Sequence, residues 1–291
     1  MTTHENSVIR FLFEDLDIRG ALVNLSGVWQ EMLRGRDYAP QVQVLLGEMT
    51  AVAALIGSSL NTPGRLTFQA QGQGDVSLLV VDCEEQDGQL NLRGMARCAD
   101  EVSGVSALEL LGDGNLQFSL QSAMADMPYQ SHVPLAGANI AEIFEHFLGQ
   151  SVQHPARLTL FADGRHAAGL LLQTLPPADR KNSDEDGWNR IQTLAATLDP
   201  NELLLPAATL LRRLFVDETI RMFDPCPIAY HCPRDEDKVR GMLSSLGRDE
   251  VVNMLAEHGE IVIQDDICNH EYRFGAGIVD ELFPSAGQTL H

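Results

Sequence analysis

The stretch GRLTFQAQGQGDVSLLVVDCEEQDGQLNLRGMAR, residues 64–97, decides the fold. Leu66, Phe68 and Ala70 alternate with Thr67, Gln69 and Gln71, the period-2 pattern of a strand with one buried face. Val76 to Asp82 reads as a second strand. Asp87-Gly88 is a two-residue turn of the kind that joins antiparallel strands, and a third run follows from Gln89 to Arg97. Gln71-Gly72-Gln73-Gly74 lies between strand-like runs and opens no helix, so it reads as a hairpin turn rather than a phosphate loop. Consecutive strands on short turns predict antiparallel sheet.

Outward from this stretch the pattern changes period. From Gln41 to Leu60, Val44, Leu45, Met49, Val52, Leu55 and Ile56 recur near 3.6 residues and predict a helix. Its small residues Ala51, Ala53, Ala54 and Gly57 suit close packing. Pro63-Gly64 makes the turn into the first strand. On the other side, Leu116, Phe118 and Leu120 alternate after Asp113-Gly114, and a helix is expected from Ile140 to Gly149. Arg157 to Ala162 and Ala167 to Gln173 form a closing hairpin across Asp163-Gly164.

Beyond Pro176-Pro177 the polar stretch Ala178 to Gly187 marks a boundary, and strand signals stop. Trp188, Ile191, Leu194 and Leu198 share one helical face. Asp199-Pro200-Asn201-Glu202 supplies a capping Asp, a Pro at the first helical position and a Glu three residues after the cap. The Leu-rich run from Leu203 to Phe215, interrupted by Pro206, is expected to continue as helix towards Met222. Helices are expected over Lys238 to Leu246 and Asp249 to Glu257, with Gly259 as terminator. Glu260 to Gln264 and Glu271 to Phe274 read as short strands with Cys268 in the turn between them, and the tail after Phe283 is expected to fray. The expected fold class is α+β. An N-terminal antiparallel-sheet domain with packed helices (1–177) is followed by a helical linker module (178–225) and a small C-terminal α/β hairpin module (226–291).

Composition narrows function. The chain has 291 residues and a formal net charge of −21, which disfavours nucleic-acid phosphate backbones. The N-terminus lacks an apolar stretch after a basic start, and no run reaches the ~20 apolar residues of a membrane span. Five cysteines, an odd number, suit a reducing compartment. A cytoplasmic protein with no nucleic-acid or membrane partner is expected. The sequence has no Gly-x-Ser-x-Gly elbow, no phosphate loop with Gly-Lys-Ser/Thr and no His-Glu-x-x-His pair, so no enzyme is expected. Cys83 and Cys98 read as small buried hydrophobes at strand ends. Cys226, Cys232 and Cys268 fall in the small C-terminal module, where a metal or disulfide often supplies missing stability.

Several segments, in order and spacing, resemble the redox-regulated 33 kDa heat-shock chaperone family of bacteria. They include Ile18-Arg19-Gly20-Ala21, Arg36-Asp37-Tyr38-Ala39-Pro40, Leu45-Leu46-Gly47-Glu48 and Gly64-Arg65-Leu66-Thr67. Leu92-Arg93-Gly94, Phe147-Leu148-Gly149-Gln150-Ser151, Leu171-Leu172-Gln173-Thr174-Leu175-Pro176, Glu202-Leu203-Leu204 and Leu211-Arg212-Arg213-Leu214-Phe215 continue the likeness. The resemblance implies an ATP-independent holdase that binds unfolding client proteins and stops their aggregation. In such proteins a Cys-x-Cys pair and a Cys-x-x-Cys pair hold zinc. Oxidation forms two disulfides and expels the metal, the module and linker loosen, and homodimers form. The client-binding surface is expected on the sheet domain and linker, with its residues unknown from sequence.

In the family frame the four thiol positions are Tyr230, Cys232, Asp265 and Cys268. Two thiolates and one carboxylate remain. Three readings stay open. The metal site is lost and the module folds by packing, with Ile267, Phe274 and Tyr230 as local core. Alternatively, Cys232 and Cys268 form one disulfide and act as a simplified redox switch. Alternatively, a rebuilt zinc site draws on Cys226, His231, Cys232, Asp265, Cys268 and His270. A regulatory or scaffold protein on the same fold, without holdase activity, is the alternative function.

Overall fold

A computed structural model describes residues 5–60, 63–122, 127–151, 155–176, 184 and 186–284. The chain forms two compact units, Met1–His231 and Cys232–His291. The larger begins with β1 (Ser7–Phe13), β2 (Ile18–Leu25), α1 (Gly27–Leu33) and α2 (Pro40–Gly57). The quoted stretch forms β3 (Gly64–Gly72), β4 (Val76–Gln86) and β5 (Gln89–Cys98). After these come α3 (Ala107–Leu111), β6 (Gly114–Ser122), β7 (Tyr129–Pro134), α4 (Ile140–Ser151), β8 (Ala156–Ala162) and β9 (Ala167–Thr174). The unit closes with α5 (Gly187–Ala195), a 3-10 turn (Pro200–Leu204), α6 (Ala207–Leu214), β10 (Ile220–Met222) and β11 (Cys226–Ala229).

The strands join in the order β7-β6-β3-β4-β5-β11-β1-β2-β9-β8, with β10 on β1. The β4–β5 hairpin turns on Asp87 and Gly88, whose φ angles of 54° and 78° give the left-handed pair that a tight hairpin needs. All described pairings are antiparallel except β11 with β5. That short strand pairs Val8 with Cys226 on one side and Ile228 with Leu90 on the other, and so joins two half-sheets.

One sheet face packs on α2, whose Leu46, Met49, Val52 and Leu55 are fully buried. Gly47 lets the helix approach closely, because a Cβ there would come within 2.6 Å of the Ala162 Cβ. The other face of β1, β2 and β9 is covered by the segment after residue 186. Phe11, Phe13, Ile18, Leu170 and Leu172 form one core with Ile191, Leu203, Leu210, Leu211 and Phe215.

Several expectations change. The run after Leu203 is not one helix. The cap at Asp199 and Glu202 opens only the 3-10 turn, since Pro206 holds Leu205 extended at ψ 153°. Nor does helix reach Met222: Ile220 to Met222 pairs with Phe11 to Phe13 of β1 instead. Cys83 is buried in mid-strand rather than at a strand end. Residues 226–231, expected in the C-terminal module, lie in the larger unit because β11 finds hydrogen-bonding partners on both sides there. Of the linker module expected over 178–225, the described residues (184 and 186–225) also belong to the larger unit. Most of the expected boundary (178–183 and 185 of 178–187) and the tail from residue 285 lie outside the described residues.

The smaller unit contains α7 (Glu236–Leu246), α8 (Arg248–His258), β12 (Ile261–Asp265), β13 (His270–Phe274) and α9 (Ile278–Leu282). Its core is Leu243, Val251, Ile261, Tyr272, Phe274 and Ile278. Gly259 ends α8 in the left-handed conformation, with φ 78°. β12 and β13 form a hairpin in which Asp265 faces His270.

Candidate thiol switch

The β12–β13 turn places Cys268. Asp265 Oδ1 accepts hydrogen bonds from the backbone N–H of Ile267 (3.0 Å) and Cys268 (3.2 Å), an Asx-type turn that fixes the following thiol. Cys268 is disulfide-bonded to Cys232, 36 residues earlier, with the two Cα atoms 5.8 Å apart. That separation lies within the usual range for such bridges.

Neighbouring contacts hold the segment around Cys232 against β13. His270 donates from Nε2 to the carbonyl oxygen of Cys232 at 2.7 Å. The backbone N–H of Asp235 donates to the Tyr272 hydroxyl at 3.0 Å, while Asp235 Oδ1 caps α7 by accepting from Lys238 N at 2.9 Å. The Arg234 guanidinium lies 4.9 Å from the Tyr272 ring centre and donates to the carbonyl of Glu271. Arg234 and Tyr272 are absent from the sequence-derived site. The only signal for Tyr272 is its place in a short alternating strand, facing the core.

The remaining candidates lie in the larger unit. Tyr230 packs against its main core, not in the small module. Local packing in the smaller unit therefore falls to Phe274 and its neighbours, with Ile267 only half-buried. His231 exchanges hydrogen bonds with Asn91, its N–H donating to Oδ1 at 2.7 Å and its carbonyl accepting from Nδ2 at 2.9 Å. Cys226 sits on β11, where burial pushes its thiol up from its ordinary value and Sγ lies 3.6 Å from the Gly88 carbonyl. Burial likewise raises the Cys83 thiol far above its usual range. Both are therefore poor nucleophiles.

This donor set does not fit a closed zinc site, which takes four ligands, commonly thiolates and imidazoles. The two thiols are bonded to each other. Asp265 Oδ1 is engaged by the turn, and His270 Nε2 is engaged by a carbonyl. Among the described residues no group of three or more His, Cys, Asp or Glu side chains is placed to hold a metal.

Comparison with known proteins places the whole chain in one context. A family model described as Hsp33 protein matches residues 6–275. The 33 kDa chaperonin of Methylobacillus flagellatus is 38% identical over 277 residues, covering 94% of this chain and 93% of that protein. The 33 kDa chaperonin of Pseudomonas paraeruginosa is 40% identical over 291 residues, covering 98% of this chain and 97% of that protein. The crystal structure of the 33 kDa chaperonin (heat shock protein 33 homolog) from Thermotoga maritima superposes with a TM-score of 0.80 at 21% identity, over 95% of this chain and 97% of that one.

Proposed function

The chain belongs to the Hsp33 family, and from that premise we propose that it is an ATP-independent bacterial holdase, acting in the cytoplasm, whose thiol control has been rebuilt around one disulfide. It is a chaperone, not an enzyme. The resemblance supports unfolding proteins as its partners and a homodimer as the active assembly.

The observation that carries the rebuilt control is the pairing of Cys232 with Cys268. The family's oxidation removes a metal that holds the module together. Here oxidation instead ties the first residue of the smaller unit to its hairpin. A 36-residue separation makes such a tie worth about 4 kcal/mol through the unfolded chain's lost entropy. Structural zinc contributes about 10–16 kcal/mol in small metal-dependent modules. The reduced module therefore stands on its small apolar core and a few hydrogen bonds, and heat rather than oxidant opens it. Oxidation closes it further, so the sign of the redox response is reversed.

The test is light scattering from a chemically unfolded client at rising temperature, with reduced and with oxidised protein. The reduced form is expected to suppress aggregation at lower temperature than the oxidised form. Strong suppression only after oxidation overturns the reversed sign. Equal suppression in both states removes the thiol pair from control altogether. Failure to suppress in either state, with a stable specific partner in pull-downs, favours the regulatory or scaffold reading.

A further inference from the structure

A cavity of about 320 Å³ opens beside the C-terminal end of α2, lined by Arg10, Arg19, Gln173, Leu171, Leu175 and Phe223 among others. Its volume falls in the range of small-molecule sites and exceeds what an oxyanion alone fills. Strand register explains the two arginines. Arg10 lies opposite Ala21, and Arg19 is two residues from Ala21 on the same strand, so both side chains leave the same sheet face as diagonal neighbours.

Neither guanidinium meets a carboxylate among the described residues. Arg19 donates from Nε (3.1 Å) and Nη2 (2.6 Å) to the amide oxygen of Gln173, itself 4% exposed. Arg10 donates from Nη1 to the carbonyl of Ser58 at 3.3 Å. The hydrogen bonds fix the side chains and leave neither guanidinium in an ion pair among the described residues, in a chain whose formal net charge is −21. Burial, and then the charge of Arg10, hold the Arg19 guanidinium below its ordinary value. An anion between the two would relieve both costs.

The rest of the lining tells what the anion is attached to. Leu171, Leu175 and the ring of Phe223 supply an apolar wall, and Phe223 is 43% exposed. Arg221 lies over that ring at 5.5 Å and so gives the mouth further positive character, although Glu14 sits 3.9 Å from it.

We propose that this cavity binds a small organic phosphate monoester, with the phosphoryl group between Arg10 and Arg19 and the organic body against Leu175 and Phe223. A monoester carries close to two negative charges at neutral pH and so matches two guanidinium groups, whereas a monocarboxylate leaves one unmatched.

Isothermal titration calorimetry on the full chain tests this with phenyl phosphate, inorganic phosphate and benzoate. Phenyl phosphate is expected to bind most tightly, and less tightly as salt rises. Arg10→Gln and Arg19→Gln are each expected to weaken it by about tenfold or more. Arg34→Gln, at an exposed pair with Glu31, is expected to change nothing. Phe223→Ala keeps the arginines and is expected to weaken phenyl phosphate while leaving inorganic phosphate unchanged. It also serves if an arginine variant fails to fold. Absence of binding, indifference to either arginine, or equal affinity for benzoate overturns the proposal. Sedimentation with phosphatidic acid vesicles separates a membrane-borne phosphate from a soluble one. Vesicle binding that needs the same arginines, with none to phenyl phosphate, overturns the soluble ligand.

Discussion

The imidazole of His270 donates from Nε2 to the backbone carbonyl of Cys232, 2.7 Å away and 38 residues earlier in the chain. One of the nitrogens that a rebuilt metal site would need is thus used to hold the bridging segment in place. The disulfide, this hydrogen bond and the Asp235–Tyr272 contact together tie the segment from Cys232 to Asp235 to the β12–β13 hairpin.

The first expectation is therefore indifference to chelators. Oxidised protein treated with excess EDTA is expected to keep its circular dichroism melting curve. Reduced protein purified without added zinc is expected to hold well under one metal ion per chain by elemental analysis. Stoichiometric zinc with a large EDTA-induced drop in Tm would contradict the geometry of the site.

Removing the bridge carries a definite cost. Cys232→Ser with Cys268→Ser is expected to lower the stability of the smaller unit by about 4 kcal/mol relative to oxidised protein, and by much less relative to reduced protein. Hydrogen exchange on β12 and β13 reads the unit separately from the large sheet. Unchanged protection in the oxidised comparison would show that the bridge adds nothing.

Glu48 gives a pH dependence with a definite sign. Burial raises its carboxyl from 4.5 to about 7, and it has no hydrogen-bond partner among the described residues. The folded state therefore holds this proton more tightly than the unfolded chain does. The associated stability is fully present below pH ~4.5 and is lost as pH rises through about 7, a change of about 3 kcal/mol. Glu48→Gln is expected to match wild type near pH 4.5 and to exceed its Tm above pH 7. A constant difference across that window would mean that Glu48 does not titrate there.

The segment after residue 186 is docked by aromatic contact. Phe215 meets Phe13 edge-on with ring centres 5.1 Å apart, and each is 1% exposed. Phe215→Ala is expected to cost about 3–5 kcal/mol. If this segment covers client-binding surface, the variant is expected to bind more of an apolar dye and to suppress client aggregation without heating. Lower stability with no gain in dye binding or suppression would separate the docking contact from chaperone control.

Much of the large sheet is legible in the sequence because its signals are local. The alternation at Leu66, Phe68 and Ala70, and the Asp87-Gly88 turn, act over a few residues, and the structure sets β3 to β5 there. The apolar period of α2 is likewise local. β10 and β11 escape such a reading. They are three and four residues long, too short for a period, and their pairing partners lie far away in the chain. That Cys232 and Cys268 are candidate switch residues is also legible, through the order of family-like segments. Their pairing is not, since the same residues allow loss of the site, a bridge or a rebuilt metal centre.

Sequence alone determined the α+β class, the turns that set the hairpins, and the places of Cys232 and Cys268 as candidate switch residues. Tertiary structure alone decided that Cys226 lies in a sheet-joining strand, that Cys232 meets Cys268, and that Arg10 and Arg19 share one cavity. The physical reason is range. Periodicity and turn chemistry act between neighbours in the chain, whereas strand register and thiol proximity depend on chain closures whose entropy only the assembled core offsets.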